Sequence, residues 1–261
     1  MTEKTFENKI VLVTGSGRGI GRGIALHFAR QGADVVVNFF RNRKPAEETA
    51  AEIEKLGRKA LVVKANVGDI EAIENLFQQT EETFGGLDIF VNNAASGYNR
   101  PVMEQKVKGW DWTMDINARA YLFAAQEAVR LMEKRGGGQI VAITSPGGDR
   151  VMPEYVLVGA SKAALNALTR YLAVELAEKN IRVNAVSPGV VATDVIQHFE
   201  TLSEEGILDK IAAATPTGRL VTPEDVAGVV AFLCSPAAEM ICGQVITVDG
   251  GLTLPLKTIN L

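Results

Sequence analysis

Cysteine and histidine are scarce in this 261-residue chain, which holds only Cys234 and Cys242, His27 and His198. No Cys/His cluster has the spacing of a zinc site, so no metal is expected. Two thiols without framework spacing in a long chain point to a reducing compartment, the cytoplasm, and not to a disulfide scaffold. Long apolar runs are missing too. The stretch 10–13, behind a polar start at 1–8, is too short for the apolar part of a signal peptide, and no segment reaches membrane-spanning length. Positive charge is not in excess: 27 Lys and Arg against 31 Asp and Glu leave a net charge of −4, without the field that attracts nucleic acid or an anionic membrane. Repeats, low-complexity stretches and Pro/Gly/Ser linkers are also lacking, so residues 1–261 are expected to form a single domain.

What is present is a regular alternation. Short runs rich in Val and Ile at 10–14, 34–38, 60–64, 88–92, 139–144, 181–186 and 244–248 show little polar alternation, as in parallel strands covered on both faces. Helical patterns lie between them, among them 20–31, 46–56, 70–84 and 160–176. Seven strands with intervening helices predict an α/β fold: a single Rossmann-like, doubly wound parallel sheet with helices on both faces. Residues 193–217 fit no strand–helix unit and read as an inserted helical lid over a substrate.

Directly after the first strand comes Thr14-Gly15-Ser16-Gly17-Arg18-Gly19-Ile20-Gly21, opening into a helix. Glycines there allow a tight turn and let backbone approach a pyrophosphate at a helix N-terminus, so Gly15, Ser16, Gly17, Arg18, Gly19 and Ile20 are candidate dinucleotide contacts. The second strand runs into Asn38, Phe39, Phe40 and Arg41, where an NAD site would normally put an acid for the ribose hydroxyl. With no carboxylate to repel a 2′-phosphate, and with Arg18 and Arg41 to grip it, the expected cofactor is NADPH. The bland alternative is that Arg41, Arg43 and Lys44 form a solvated loop face. Further contacts are expected at later strand ends: Asn66 and Val67 about the adenine, Asn93 and Ala94 by the ribose, and Pro188, Gly189, Val191 and Thr193 by the nicotinamide and phosphates.

These motifs, together with Asn117 in DINA (115–118), Ser145, Lys162 and VDGG (248–251), run over nearly the whole chain and resemble the short-chain dehydrogenase/reductase family. The resemblance implies a homotetramer, a catalytic tyrosine, Lys162 on the nicotinamide ribose and Asn117 holding a water in a proton relay. One departure is informative. The family's usual tyrosine stands four residues before the lysine, which here is Val158; the nearest tyrosine is Tyr155, seven before Lys162. That longer spacing is similar to the bacterial enoyl-acyl carrier protein reductases of the superfamily. VNNAASG (91–97), RPVME (100–104), WDWTM (110–114), SKAALNALTRYLAVEL (161–176) and the short glycine loop resemble their NADPH-dependent FabL type. The implied substrate is a trans-2-enoyl thioester on acyl carrier protein or coenzyme A, in fatty-acid elongation.

Spacing fits that chemistry if Pro153 opens a helix. Residues four and seven apart then share a face, but the axial offset grows from about 6 Å to about 10.5 Å. Conjugate reduction adds hydride at C3 while charge develops on the distant C1 oxygen, so the phenol that meets this oxygen should stand farther from the nicotinamide. Tyr155 is the expected enolate donor, Lys162 its cationic neighbour, and Ser145 and Asn117 supporting polar groups. Two other readings remain: carbonyl/alcohol redox such as 3-ketoacyl reduction, which the aliphatic Val158 opposes, and an NADP(H) sensor without turnover. Trp110 and Trp112 are expected in the core or at an oligomer contact, Asp69 and Glu71 at a helix start, and Asp115 and Asp249 in structural roles.

Overall fold

In a computed structural model, residues 4–192 and 206–255 are described. Seven strands, β1 (Ile10–Val13), β2 (Asp34–Phe39), β3 (Ala60–Lys64), β4 (Ile89–Asn92), β5 (Gly138–Ile143), β6 (Ile181–Pro188) and β7 (Val245–Val248), form one sheet. Every pairing is parallel and the order is β3-β2-β1-β4-β5-β6-β7. The register sets Val11 of β1 between Val35 of β2 and Ile89 of β4. The chain therefore winds outward from β1 in one direction, returns, and winds outward from β4 in the other. Between the C-terminal ends of β1 and β4 lies the crevice where open α/β sheets receive ligands.

Alternate side chains of the sheet feed two cores. Ile10 and Leu12 join one with α3 (Ile70–Phe84), α5 (Ala120–Glu133) and α6 (Val156–Glu175). Val11 and Val13 join the other with α1 (Gly19–Arg30), α2 (Arg43–Lys55) and α8 (Pro223–Cys234). Burial on both faces is why these strands read as continuous apolar runs. Between β4 and α5, α4 (Val107–Met114) passes through a single π turn, Asp115–Arg119, into α5 without a break. Asp69 caps α3, its carboxylate accepting the Glu71 N–H at 3.0 Å.

Two expectations about helix starts need correction. α2 begins at Arg43 and not at residue 46, because Pro45 falls in the first helical turn, where its missing N–H has no partner to lose. α6 begins at Val156, so Pro153 does not open it. Pro153 is the second residue of a turn from Met152 to Tyr155, closed by the Tyr155 N–H donating to the Met152 carbonyl at 3.3 Å. Glu154 follows with φ of 61°, the proline-then-positive-φ order of a type II turn. Tyr155 is thus the N-cap of α6 (φ −99°, ψ 13°), and its carbonyl accepts the Gly159 N–H at 2.7 Å, the first bond of the helix.

Of the expected insertion at 193–217, residues 193–205 lie outside the described residues; α7 (Ile207–Ala214) occupies the remainder. Val191 and Val221 form a parallel bridge, so the chain leaves and rejoins the sheet at one place, beside the end of β6. Among the described residues no helix is long and apolar enough to cross a membrane.

Candidate active site

The glycine loop is bound to its neighbours by buried polar groups. Thr14 Oγ1 accepts the N–H groups of Asn93 (2.9 Å) and Ala94 (3.0 Å), while Asn93 Nδ2 donates to the carbonyls of Thr14 (2.7 Å) and Gly15 (3.2 Å). Asn38 Oδ1 accepts the Gly15 N–H at 3.1 Å, and its amide donates to the carbonyls of Val63 and Ala65. Ser16 Oγ donates to the Val13 carbonyl (2.7 Å) and accepts the Asn38 N–H (3.1 Å). Ser16, expected as a cofactor contact, is fully buried and spends its hydroxyl on the loop itself. Gly15 has φ of 65°, and a Cβ on Gly21 would stand 2.5 Å from the Gly15 carbonyl oxygen and from Asn93 Nδ2. Only glycine permits this close approach of helix to turn. Arg18 gives α1 no side-chain cap, which leaves first-turn N–H groups for an anion.

Around the end of β2 the basic residues separate into two kinds. Arg43 pairs with Glu47 (3.3 Å) and Lys44 with Glu48 (3.9 Å) along α2, as in a solvated face. Arg18 and Arg41 are exposed and pair with no carboxylate among the described residues; Arg41 lies over the Phe40 ring at 5.8 Å. The loop carrying Arg18 packs on the start of α2, since a Cβ on Gly17 would be 3.1 Å from the Ala46 nitrogen. Asn66 Oδ1 accepts the Gly68 N–H at 3.1 Å, the Asn66 carbonyl accepts the Asp69 N–H at 3.0 Å, and Val67 packs into the core. Gly189 lies against Asp249, Pro188 ends β6 and Val191 is buried in its bridge to Val221. Thr193 lies outside the described residues.

At the other end of the crevice, α6 carries Lys162 under the end of β5. It is 5% exposed, its Nζ donates to the Ile143 carbonyl at 2.8 Å, and burial pulls its pKa down to about 8. Ser145 Oγ accepts the Gly147 N–H at 3.2 Å, shaping the turn Pro146–Gly148, and receives the Tyr155 hydroxyl at 3.4 Å. Burial raises the Tyr155 pKa, with the Ser145 hydrogen bond opposing it, so at neutral pH this phenol is a proton donor. A Cβ on Gly147 would stand 2.5 Å from Tyr155 Cε1, so the glycine makes the space that the ring fills.

Asn117 lies in the π turn, and its side chain is occupied. Oδ1 accepts the Ser96 N–H (2.8 Å), and Nδ2 donates to the Ser96 carbonyl (2.8 Å) and to Ser161 Oγ (2.9 Å). With both amide hydrogens used, the side chain braces the loop after β4 against α6 and does not offer an N–H to a relay water. Val158 is 5% exposed and packs against Gly97, so an aliphatic group fills the site four residues before the lysine. Trp110 and Trp112 are 45% and 37% exposed, so of their two expected places, the core or an oligomer contact, the core is ruled out; Thr113 is the one buried residue of α4. The Trp112 indole N–H donates to Ser96 Oγ at 2.9 Å.

Thr14, Asn38, Ser96, Gly147 and Ser161 are the site residues that sequence reasoning missed. A polar residue at the end of an apolar strand is the available signal for Thr14 and Asn38; the other three announce themselves only through neighbours distant in sequence.

A family model described as enoyl-(acyl carrier protein) reductase matches residues 15–253. The hydroxynaphthalene reductase-like protein Arp2 of Metarhizium robertsii is 40% identical over 260 residues, covering 96% of this chain and 97% of that protein. The 1-cyclohexenylcarbonyl-CoA reductase of Streptomyces collinus is 38% identical over 250 residues, 94% of this chain and 87% of that protein. Among solved structures, 7 alpha-hydroxysteroid dehydrogenase complexed with NADH and 7-oxo glycochenodeoxycholic acid matches with a TM-score of 0.89 at 34% identity, covering 95% of this chain and 96% of that one.

Proposed function

The chain belongs to the short-chain dehydrogenase/reductase superfamily, and from that premise we propose that it reduces the 2,3 double bond of trans-2-enoyl thioesters with NADPH. The observation that carries this reading is the pair Val158 and Tyr155. The position four before Lys162 is a buried aliphatic, while the phenol hydrogen-bonded to Ser145 comes from the turn ahead of α6. The name of the Streptomyces relative specifies a thioester whose double bond is conjugated to the carbonyl, which is the same chemical class.

The cradle formed by Gly15 and Gly21, the uncapped start of α1, and Arg18 and Arg41, without an ion pair among the described residues, fit a dinucleotide with a 2′-phosphate. When bound, such a cofactor supplies hydride to C3. Tyr155 donates a hydrogen bond to the thioester oxygen and stabilises the enolate charge. Lys162 holds the ribose hydroxyls and keeps a positive charge near the phenol. Ser145 aims the Tyr155 hydroxyl. The homotetramer belongs to this reading as well, and exposed Tyr171 and Val174 on α6 offer it an outward surface.

Competing with this is carbonyl reduction, which the hydroxysteroid enzyme, solved with a 7-oxo compound, favours. NADPH oxidation measured with crotonoyl and longer trans-2-enoyl thioesters, beside a 3-ketoacyl thioester and simple ketones, separates the two. Faster turnover of a ketone overturns the proposal, and NADPH binding without any turnover favours a sensor. Tyr155→Phe is expected to lower kcat by about 10² to 10⁴-fold with NADPH affinity retained. Undiminished kcat in that variant removes Tyr155 from the mechanism.

A further inference from the structure

Beside the active site, Tyr98, Arg100, Lys106, Lys108, Gly109 and Trp112 line a cavity of about 340 Å³. We propose that this pocket receives the phosphate-bearing pantetheine arm of the thioester carrier, an inference that rests on the enoyl-thioester reading above.

The pocket gathers several cations. Elsewhere some cations sit in ion pairs, such as Lys9 with Asp88, Arg58 with Asp34 and Arg219 with Asp225, while others, Arg18 and Arg41 among them, do not. Arg100, Lys106 and Lys108 form no ion pair among the described residues, although Glu104, Asp111 and Glu154 stand on the same segments. Three positive charges without an ion pair among the described residues line one cavity in a chain of net charge −4, and they match the anionic phosphate of such an arm. The walls between them are aromatic. Arg100 lies over the Tyr98 ring at 5.0 Å, and the Trp112 indole is part of the same lining. Flat apolar faces suit the methylene and amide stem of pantetheine. Gly109 is part of the design, because a Cβ there would collide with the Tyr98 hydroxyl.

The walls of the pocket are hydrogen-bonded to segments of the reaction site. The Arg100 N–H donates to the Glu154 carbonyl at 2.9 Å, one residue before Tyr155. Trp112 is bound to Ser96, and Ser96 to Asn117, which reaches Ser161 on α6. A thioester oxygen at Tyr155 therefore leaves its thiol arm beside this cavity. A neutral ketone would bring nothing for the three cations to neutralise.

Both tryptophans of the chain, Trp110 and Trp112, lie on α4, so intrinsic fluorescence reports from this helix. Titration of the full chain with 4′-phosphopantetheine is expected to give a saturable change, weaker by about tenfold in Lys106→Ala/Lys108→Ala and with unphosphorylated pantetheine. In kinetics, the same variant should lower the ratio of kcat/KM for crotonoyl-CoA over crotonoyl-N-acetylcysteamine by about tenfold, since only the first ester carries phosphate. An unchanged ratio, or no binding of 4′-phosphopantetheine, overturns the pocket while enoyl reduction stands. Binding of 4′-phosphopantetheine with no thioester turned over keeps the pocket and removes the reaction. A variant effect confined to crotonoyl-acyl carrier protein, with the free arm unbound, assigns the cations to an acidic protein surface and likewise overturns the proposal.

Discussion

Burial strips water from the Lys162 ammonium, and the Ile143 carbonyl 2.8 Å away returns only part of that solvation. Desolvation dominates, and the pKa falls to about 8. A cation with a lowered pKa is charged below that value and neutral above it, whereas the Tyr155 phenol moves upward and stays protonated through the same range. With Lys162 holding the ribose and supporting the enolate, kcat/KM for the crotonoyl thioester should be flat through neutrality and fall about tenfold per pH unit above pH 8. A limb nearer pH 10 in that profile would assign the titration to an unperturbed group. Cofactor choice is the second residue-scale test. Arg18→Ala and Arg41→Ala should each weaken NADPH about tenfold or more relative to NADH, measured as the ratio of their dissociation constants, and an unaltered ratio removes both from the 2′-phosphate. The glycine loop was legible in the sequence because its signal is conformational and local: Gly15 and Gly21 are demanded by a turn and a helix within a few residues. Thr14 and Asn38 gave only the weak signal of a polar residue closing an apolar strand, because their partners Asn93 and Ala65 arrive from the ends of β4 and β3 and no spacing announces them.

For whole elements the same division holds. Val35-Val36-Val37 and its counterparts were readable as strands because both their faces are buried, and the observed bounds differ from the expected ones by a residue or two. The start of α6 was misread because proline suits both a first helical turn and the second position of a reverse turn. Glu154 at positive φ, joined to Arg100 across the site, decides for the turn, and neither feature is visible in the local pattern. Two turns, 146–148 and 152–155, therefore act with the start of α6 to set where the phenol stands. Gly147 is the positioning residue between them. Gly147→Ala would bring a Cβ to 2.5 Å from Tyr155 Cε1 and 3.3 Å from Met152 Sδ, forcing the ring off Ser145. The expected outcome is a fall in kcat of about 10²-fold with NADPH affinity retained, the cost of misplacing a reacting group by about an ångström. Activity kept within about twofold would show that the phenol tolerates displacement and that the turn does not aim it.

At the scale of the molecule, the sheet has two unlike ends. Its C-terminal edge gathers Ser145, Lys162, the glycine loop and the Ser96–Asn117 brace, all on segments that follow strands. At the opposite edge, Asp88 fastens the N-terminal end. Its carboxylate, 6% exposed, accepts the Ile10 N–H at 2.9 Å and pairs with Lys9 and Arg135, each at 3.0 Å, so one side chain joins the starts of β1 and β4 to the end of α5. If chemistry and stability are divided between the two edges, a change at Asp88 should touch only stability. Asp88→Ala leaves the buried Ile10 N–H without its acceptor and two half-exposed cations without their anion. Charge-assisted hydrogen bonds of this kind contribute about 2 kcal/mol, and the loss should appear as a lower urea midpoint at unchanged slope. The kcat/KM per folded molecule should stay at the wild-type value, because no residue of the crevice depends on Asp88. A variant of native urea midpoint whose kcat/KM falls more than about tenfold would mean that the two edges are coupled through β1 and β4, and that the division between them is false.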